Sequence, residues 1–196
     1  MATLSNQEFW KEKFDTGGNH PFSWFDVAFG LLTSAEVLDR FKGNVYEDLR
    51  REPKVTRLQY ERMSVGRVNA MLRAMAVECL LKALWLQGGG KLALDGRYIG
   101  AMKKSEHRLH DLARAVSQKG QIAFTQRELD LLELASSWIV TGRYPIQKEY
   151  SYLVPFDRPD GTVAPKQYWR GDPFKELRVL TERLLTTLGI EMKFEK

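Results

Sequence analysis

The chain has 196 residues, 43% of them hydrophobic and 28% charged, with seven prolines and a net charge of +5. That length and balance suit one domain with extensions and a core that needs no staples, and they exclude a disordered or fibrous chain. A single cysteine, Cys79, rules out an internal disulfide framework, so nothing calls for an oxidising compartment.

The opening MATLSNQEFWKEKF mixes acidic and polar residues early and does not read as a secretory signal. Ser5 with Glu8 forms a capping box, predicting a short helix through about Phe14 that Gly17 and Gly18 end. Ser23 with Asp26 forms a second box. Trp24, Val27, Leu31, Ala35, Leu38 and Phe41 then recur at three- and four-residue steps, one apolar helix face stopped by Gly43. Residues 44–56 are charged and contain Pro53, and read as a linker or short turn.

The strongest helical signal runs from Arg57 to Gln87. Val65, Val68, Leu72, Met75, Cys79, Ala83 and Leu86 form one stripe; Val77, Leu80, Leu81 and Leu84 cover a second face. A helix apolar on two sides is expected at the centre of a bundle. Its longest apolar run, around Ala83 to Leu86, is interrupted by Lys82 and Gln87 and is too short to span a membrane, so a cytoplasmic protein is expected. Gly88-Gly89-Gly90 follows a helix rather than a strand and leads into no Gly-Lys-Ser/Thr, so it does not read as a phosphate loop.

Residues 91–104 read as an exposed loop. Leu109, Leu112, Ala113 and Val116 predict a short helix stopping at Gly120. Thr125 with Glu128 caps the next, lined by Leu129, Leu132, Ala135 and Ile139 and ending at Gly142. Residues 143–171 form a long proline- and aromatic-rich loop in which Asp160-Gly161 marks a turn that allows a small hairpin. Asp172-Pro173 opens the last helix, striped by Leu177, Leu180, Leu184 and Leu188 and closed by Gly189. The expected fold is all-α, an antiparallel up-and-down bundle of four to six helices. Residues 1–22 would be a helical extension and 23–190 the bundle.

Charge is uneven. Residues 40–73 hold nine basic groups against four acidic, and residues 97–119 six against two. Such an excess attracts phosphate through counterion release, or is simply a solvated helix surface.

Three stretches then line up with one family. They are Ala76 to Leu86 (AVECLLKALWL) followed by glycines, His110-Asp111-Leu112 opening a helix, and Gly142-Arg143-Tyr144-Pro145 closing the next. In this order they resemble the HEPN superfamily, the nucleotide-binding domain shared by higher eukaryotes and prokaryotes. The match is best over residues 60–150 and is of the type with an R-Y-P turn. The resemblance implies a homodimer-forming helical bundle that engages RNA or nucleotides. Many relatives are metal-independent endoribonucleases of toxin–antitoxin or defence systems, marked by Arg, four to six residues, then His. Arg143 occupies the Arg place, but no histidine occurs between it and Lys196. The chain therefore looks closer to the nucleotide-binding or regulatory members, and a cognate regulatory protein is a further partner the resemblance suggests.

The candidate chemistry follows. His107 and His110 are three apart and would share a helix face. Either His110 fixes the loop at the helix start, or it points, with His107, into a groove beside Arg143. Two histidines with no completing ligands predict no metal site, and no cofactor is expected. Glu78 and Lys82, four apart at the edge of the main stripe, form a plain helix ion pair or a buried site whose carboxylate seeks a cation, with Arg143 the expected partner. Arg143 offers a fork for phosphate and Tyr144 a ring for a base; alternatively both finish a helix end. His20, in a turn before Pro21, reads as local. Three functions remain open. The first is a module binding nucleotide or RNA phosphate through Glu78, Lys82, His110, Arg143 and Tyr144. The second is a ribonuclease in which His107 or His110 replaces the missing histidine beside Arg143. The third is a dimerisation scaffold.

Overall fold

A computed structural model describes residues 6–42, 57–102, 107–143, 156–157, 163–164 and 171–191. Six helices stand among them: α1 (Asn6–Gly18), α2 (Pro21–Lys42), α3 (Arg57–Gln87), α4 (Leu109–Gln118), α5 (Gln126–Arg143) and α6 (Pro173–Thr187). Two small antiparallel hairpins complete the list, β1 (Ala93–Leu94) with β2 (Arg97–Tyr98) and β3 (Phe156–Asp157) with β4 (Val163–Ala164). The fold is an all-α bundle, as the apolar stripes require. No described helix is long and apolar enough to cross a membrane.

α3 is the axis. From Ala74 to Leu86 every residue but Met75, Lys82 and Trp85 is buried. The bundle closes on its second face: Leu80, Leu81 and Leu84 meet α4 (Leu109), α5 (Leu131, Leu132, Ile139) and α6 (Leu177, Leu184, Leu185) in one core. The first half of the expected main stripe lies outside that core, and Val68 is 39% exposed. α5 approaches α3 closely because Gly142 has no side chain; a Cβ there would come within 2.5 Å of Met71 Cβ.

α2 lies antiparallel along α3, with Trp24 near Lys82 at one end and Ala35 near Asn69 farther along. Its buried line is Ala28, Leu32 and Ala35, turned from the stripe read in the sequence, and Val27 and Phe41 are about half exposed. The alanines let the two backbones come close enough for Asn69 Nδ2 to donate to Ala35 O at 2.6 Å. The helix also starts two residues before the Ser23–Asp26 box. Pro21, with its fixed φ and missing N–H, opens the first turn, and Ser23 N donates to His20 O at 3.1 Å.

α1 runs four residues past Phe14, through both glycines, because its end is held from outside. A Cβ on Gly18 would lie 2.7 Å from Ala93 Cβ, and Trp24 Nε1 donates to Gly18 O at 2.9 Å. The contact is with the first hairpin, which replaces the exposed loop expected at 91–104. Asp95 (φ 54°) and Gly96 (φ 71°) turn the chain between the paired residues Leu94 and Arg97, as a two-residue hairpin demands. Asn19 Oδ1 accepts from Leu92 N and Ala93 N, Asn19 Nδ2 donates to Ala93 O, and Asp15 accepts from Gly96 N. Leu92 and Ala93 are buried.

α4 buries its predicted face, and α5 buries Leu132, Ala135 and Ile139 as expected but takes Leu131 into the core where Leu129 was expected. The Thr125–Glu128 box forms in both directions, and α5 ends at Arg143, one residue past Gly142. α4 has no side-chain cap of its own; instead Ser136 Oγ of α5 accepts from Leu109 N at 2.9 Å. Asp172 caps α6, accepting from Phe174 N and Lys175 N. The linker read at 44–56 and most of the 143–171 loop fall outside the described residues.

Candidate functional site

Among the described residues Glu78 is the buried charge of the bundle, 5% exposed on α3. Its two carboxylate oxygens are divided between two partners. Oε1 lies 2.7 Å from Lys82 Nζ, one turn on, and Oε2 lies 2.7 Å from His107 Nδ1, just before α4. Burial pushes the Glu78 carboxyl up, but the Lys82 ammonium and the hydrogen bonds from His107 and Lys82 outweigh it and hold the group below the usual carboxylate range. An ionised carboxylate only accepts, so His107 Nδ1 carries the proton in this bond.

Lys82 is equally confined. Its ammonium sits over the Trp24 ring at 4.7 Å and the Tyr98 ring at 5.4 Å. Burial lowers its pKa, but Glu78, with help from Tyr98, more than restores it, leaving the amine above its ordinary value. The first hairpin thus carries Tyr98 to the site, and α2 supplies Trp24. Neither ring was marked by the sequence. Trp24 read as one more stripe residue, and Tyr98 lay in a supposed exposed loop. The Asp95-Gly96 dipeptide was the signal for a hairpin there.

Glu78, Lys82, Tyr98, His107 and Arg108 line a shallow recess with a cavity volume of about 20 Å³. That is room for about one water molecule, against the several hundred Å³ of a pocket that encloses a small organic ligand. A nucleotide is therefore not engulfed here; whatever meets this face meets it across its surface.

His107 has φ +72°, a left-handed conformation that costs a residue with a Cβ about 1–2 kcal/mol. Here the bond to Glu78 holds it. This backbone reversal separates the two histidines expected on one helix face, because α4 starts only at Leu109. His107 turns to α3, while His110 turns to α5. His110 Nδ1 lies 2.9 Å from Glu133 Oε2, at an angle too poor for a hydrogen bond, and Nε2 lies 3.1 Å from Asp111 Oδ1.

Arg143 is not the partner of Glu78. It ends α5 exposed, with Nη2 4.0 Å from Met75 Sδ, one turn of α3 before Glu78. Among the described residues no carboxylate lies within ion-pair distance of it. His110 is held at Glu133, ten residues earlier on α5 and so roughly 15 Å along the axis, which puts it beyond the guanidinium's reach. The structure thus gathers Glu78, Lys82 and His107, sets Arg143 a turn away, and sends His110 elsewhere. Tyr144 lies outside the described residues.

Cys79 is no nucleophile. Burial pushes its thiol up to about 11, outweighing the lowering by Lys82. Among the described residues no group of three or more His, Cys, Asp or Glu is arranged to hold a metal ion.

No protein-family profile, curated protein or solved structure matches the chain.

Proposed function

We propose that this chain is a helical module of the HEPN type that binds RNA, or another phosphate-bearing chain, across its surface without cutting it. The observation that carries this reading is Arg143. Among the described residues it is an exposed guanidinium whose contact is a thioether, and no carboxylate there competes for its fork. A thioether is a weak acceptor, so the guanidinium fork remains available for a phosphate. Glu78 and Lys82 then act as a clamp that fixes α3 beneath the site and holds His107. The recess beside them is too small for a base, which favours backbone phosphate over a mononucleotide as the ligand.

The test is a titration with short single-stranded RNA over a salt series. Affinity falls as salt rises, and Arg143→Ala weakens binding and reduces the salt slope by about one. Binding that ignores salt, or an Arg143→Ala variant that binds as well as the parent, removes the site.

One observation favours the ribonuclease as a second reading. With Nδ1 committed to Glu78, His107 keeps Nε2 as the atom that moves a proton, the arrangement of a carboxylate-oriented general base. Cleavage of RNA in the presence of EDTA, lost in His107→Gln, selects this reading over binding alone.

A further inference from the structure

The second half of α3 is closed off by its neighbours, and it opens at one point beside Arg143. Met75 is half-buried between Ala74 and Ala76, both fully buried. Its side chain packs against the core, and its Sδ stands 4.0 Å from Arg143 Nη2 at the exposed end of α5. Met71, one turn earlier, fills the rest of the joint, with Sδ 2.7 Å from where a Cβ on Gly142 would be. Two sulfurs therefore line the meeting of α3 with the end of α5. One is wedged against backbone, and the other lies beside a guanidinium.

Sulfur differs from the other apolar atoms of the core in that its polarity can change. A thioether is a weak acceptor and leaves the Arg143 fork free. Its sulfoxide is polar and carries an oxygen that accepts hydrogen bonds. The 4.0 Å between Sδ and Nη2 is longer than a hydrogen bond to oxygen. An oxygen added to Sδ extends into that space and comes within hydrogen-bond range of the guanidinium. A hydrogen bond from a charged donor is among the stronger kinds.

We propose that Met75 is an oxidation site that controls Arg143: a hydroperoxide converts the thioether to its sulfoxide, and the new oxygen captures the guanidinium. The sulfur lone pair attacks the outer oxygen of the peroxide. The S–O bond forms as the O–O bond breaks, and the proton on the outer oxygen leaves with the other half as water or an alcohol. Sulfur gives up two electrons, and the peroxide takes them. A thiol-dependent sulfoxide reductase reverses the step, returning the thioether and water while two thiols become a disulfide. Cys79, one turn further along α3, is buried and takes no part. The consequence for RNA rests on the phosphate reading of Arg143: a captured fork no longer meets phosphate, so oxidation weakens that binding.

Hydrogen peroxide is the probe, and the readout is the rate at which an arginine-selective dicarbonyl labels Arg143, followed by peptide mass. Trypsin cuts after Arg73 and Lys82, so the peptide of residues 74–82 carries Met75 without Met71. That peptide gains one oxygen, located on Met75 by fragmentation. Arg143 labelling then slows roughly five-fold, the effect of about one net hydrogen bond. Reduction of the sulfoxide restores the rate. In Met75→Leu the rate does not respond to peroxide. In Met75→Gln, whose amide oxygen stands in for that of the sulfoxide, labelling is slow without oxidant. The far-ultraviolet helix signal stays that of the parent throughout.

A Met75 that takes up no oxygen under peroxide that oxidises free methionine overturns the proposal. So does Arg143 labelling that is unchanged or faster once Met75 is oxidised. Short single-stranded RNA is the second arm, and its affinity falls by the same factor on oxidation, because one captured population is lost to both reactions. The labelling needs no RNA, so a parent protein that binds none overturns the phosphate reading and not the capture.

Discussion

Removing the Glu78 carboxylate tests whether the buried cluster is a clamp. In Glu78→Leu the Lys82 ammonium, its side chain 13% exposed, loses the oxygen 2.7 Å away, and His107 loses the acceptor that holds its left-handed backbone. Breaking a buried pair from one side costs about 3–5 kcal/mol. The Trp24 and Tyr98 rings still attract the ammonium, and an amine without a partner can shed its proton, so about 3 kcal/mol is expected here. In Lys82→Met the carboxylate keeps His107, and the cost falls to about 2 kcal/mol. The double variant Glu78→Leu/Lys82→Met leaves neither charge stranded and costs about 2 kcal/mol, most of it the loss of the His107 bond and of close packing. The coupling is then about 3 kcal/mol. Urea unfolding at neutral pH, followed by circular dichroism on all four proteins, measures it. Glu78→Leu also lowers Tm by about 6–12 °C in a chain of this length. A double variant costing about 5 kcal/mol, the plain sum of the single effects, would show that the two side chains do not share one electrostatic site.

The same pair predicts opposite behaviour at the two ends of the pH scale. The folded pKa of Glu78 is depressed below its ordinary 4.5, so its contribution is complete above that value and is lost as pH falls through the folded pKa; the acid loss should be shallower in Glu78→Gln. Lys82 is raised above 10.5, so its contribution is complete below that value and is lost as pH rises through the folded pKa; Lys82→Met should lack this alkaline loss. Urea midpoints across both ranges check each sign, and variants that follow the parent curve at either end contradict it. Cys79, with its thiol pushed up to about 11, should stay unreactive to a thiol reagent at pH 8 in the folded protein and react once it is unfolded in urea; rapid labelling without denaturant would contradict its burial.

The starts of α5 and α6 were legible because local chemistry bounds them. Thr125–Glu128 as a capping box and Asp172 as an N-cap before Pro173 satisfy their own helix ends, and both form where they were read. The limits of α3 were also legible, since a helix with two apolar faces between a charged segment and three glycines has few alternatives. α2 was harder. Phenylalanines and valines surround it, and periodicity alone could not say which line faces inward. The small residues decide: Ala28 and Ala35 allow close approach to α3, while the bulkier Val27 and Phe41 remain outside. A stripe chosen by hydrophobicity favours the larger side chains and so points to a line turned from the buried one. The end of α1 failed for a related reason, since Gly18 serves contact with Ala93 rather than termination.

The site was legible only where it lies on one helix. Glu78 and Lys82, four residues apart, had to meet on any helix, and the edge of an apolar stripe is where such a carboxylate is buried. Their other partners come from segments whose direction no periodicity fixes. A type of turn brings Tyr98 over Lys82, and a single positive φ sends His107 to Glu78 while His110 goes to Glu133. Had His107 continued a helix, both imidazoles would have shared a face and the Arg143 groove would have been the natural destination. The left-handed residue redistributes them, and at that position the His107 ring donates to a carboxylate already held by Lys82. The catalytic and the binding readings therefore both turn on one backbone torsion: it separates His110 from His107 and gives His107 a carboxylate partner, with Arg143 one turn of α3 away.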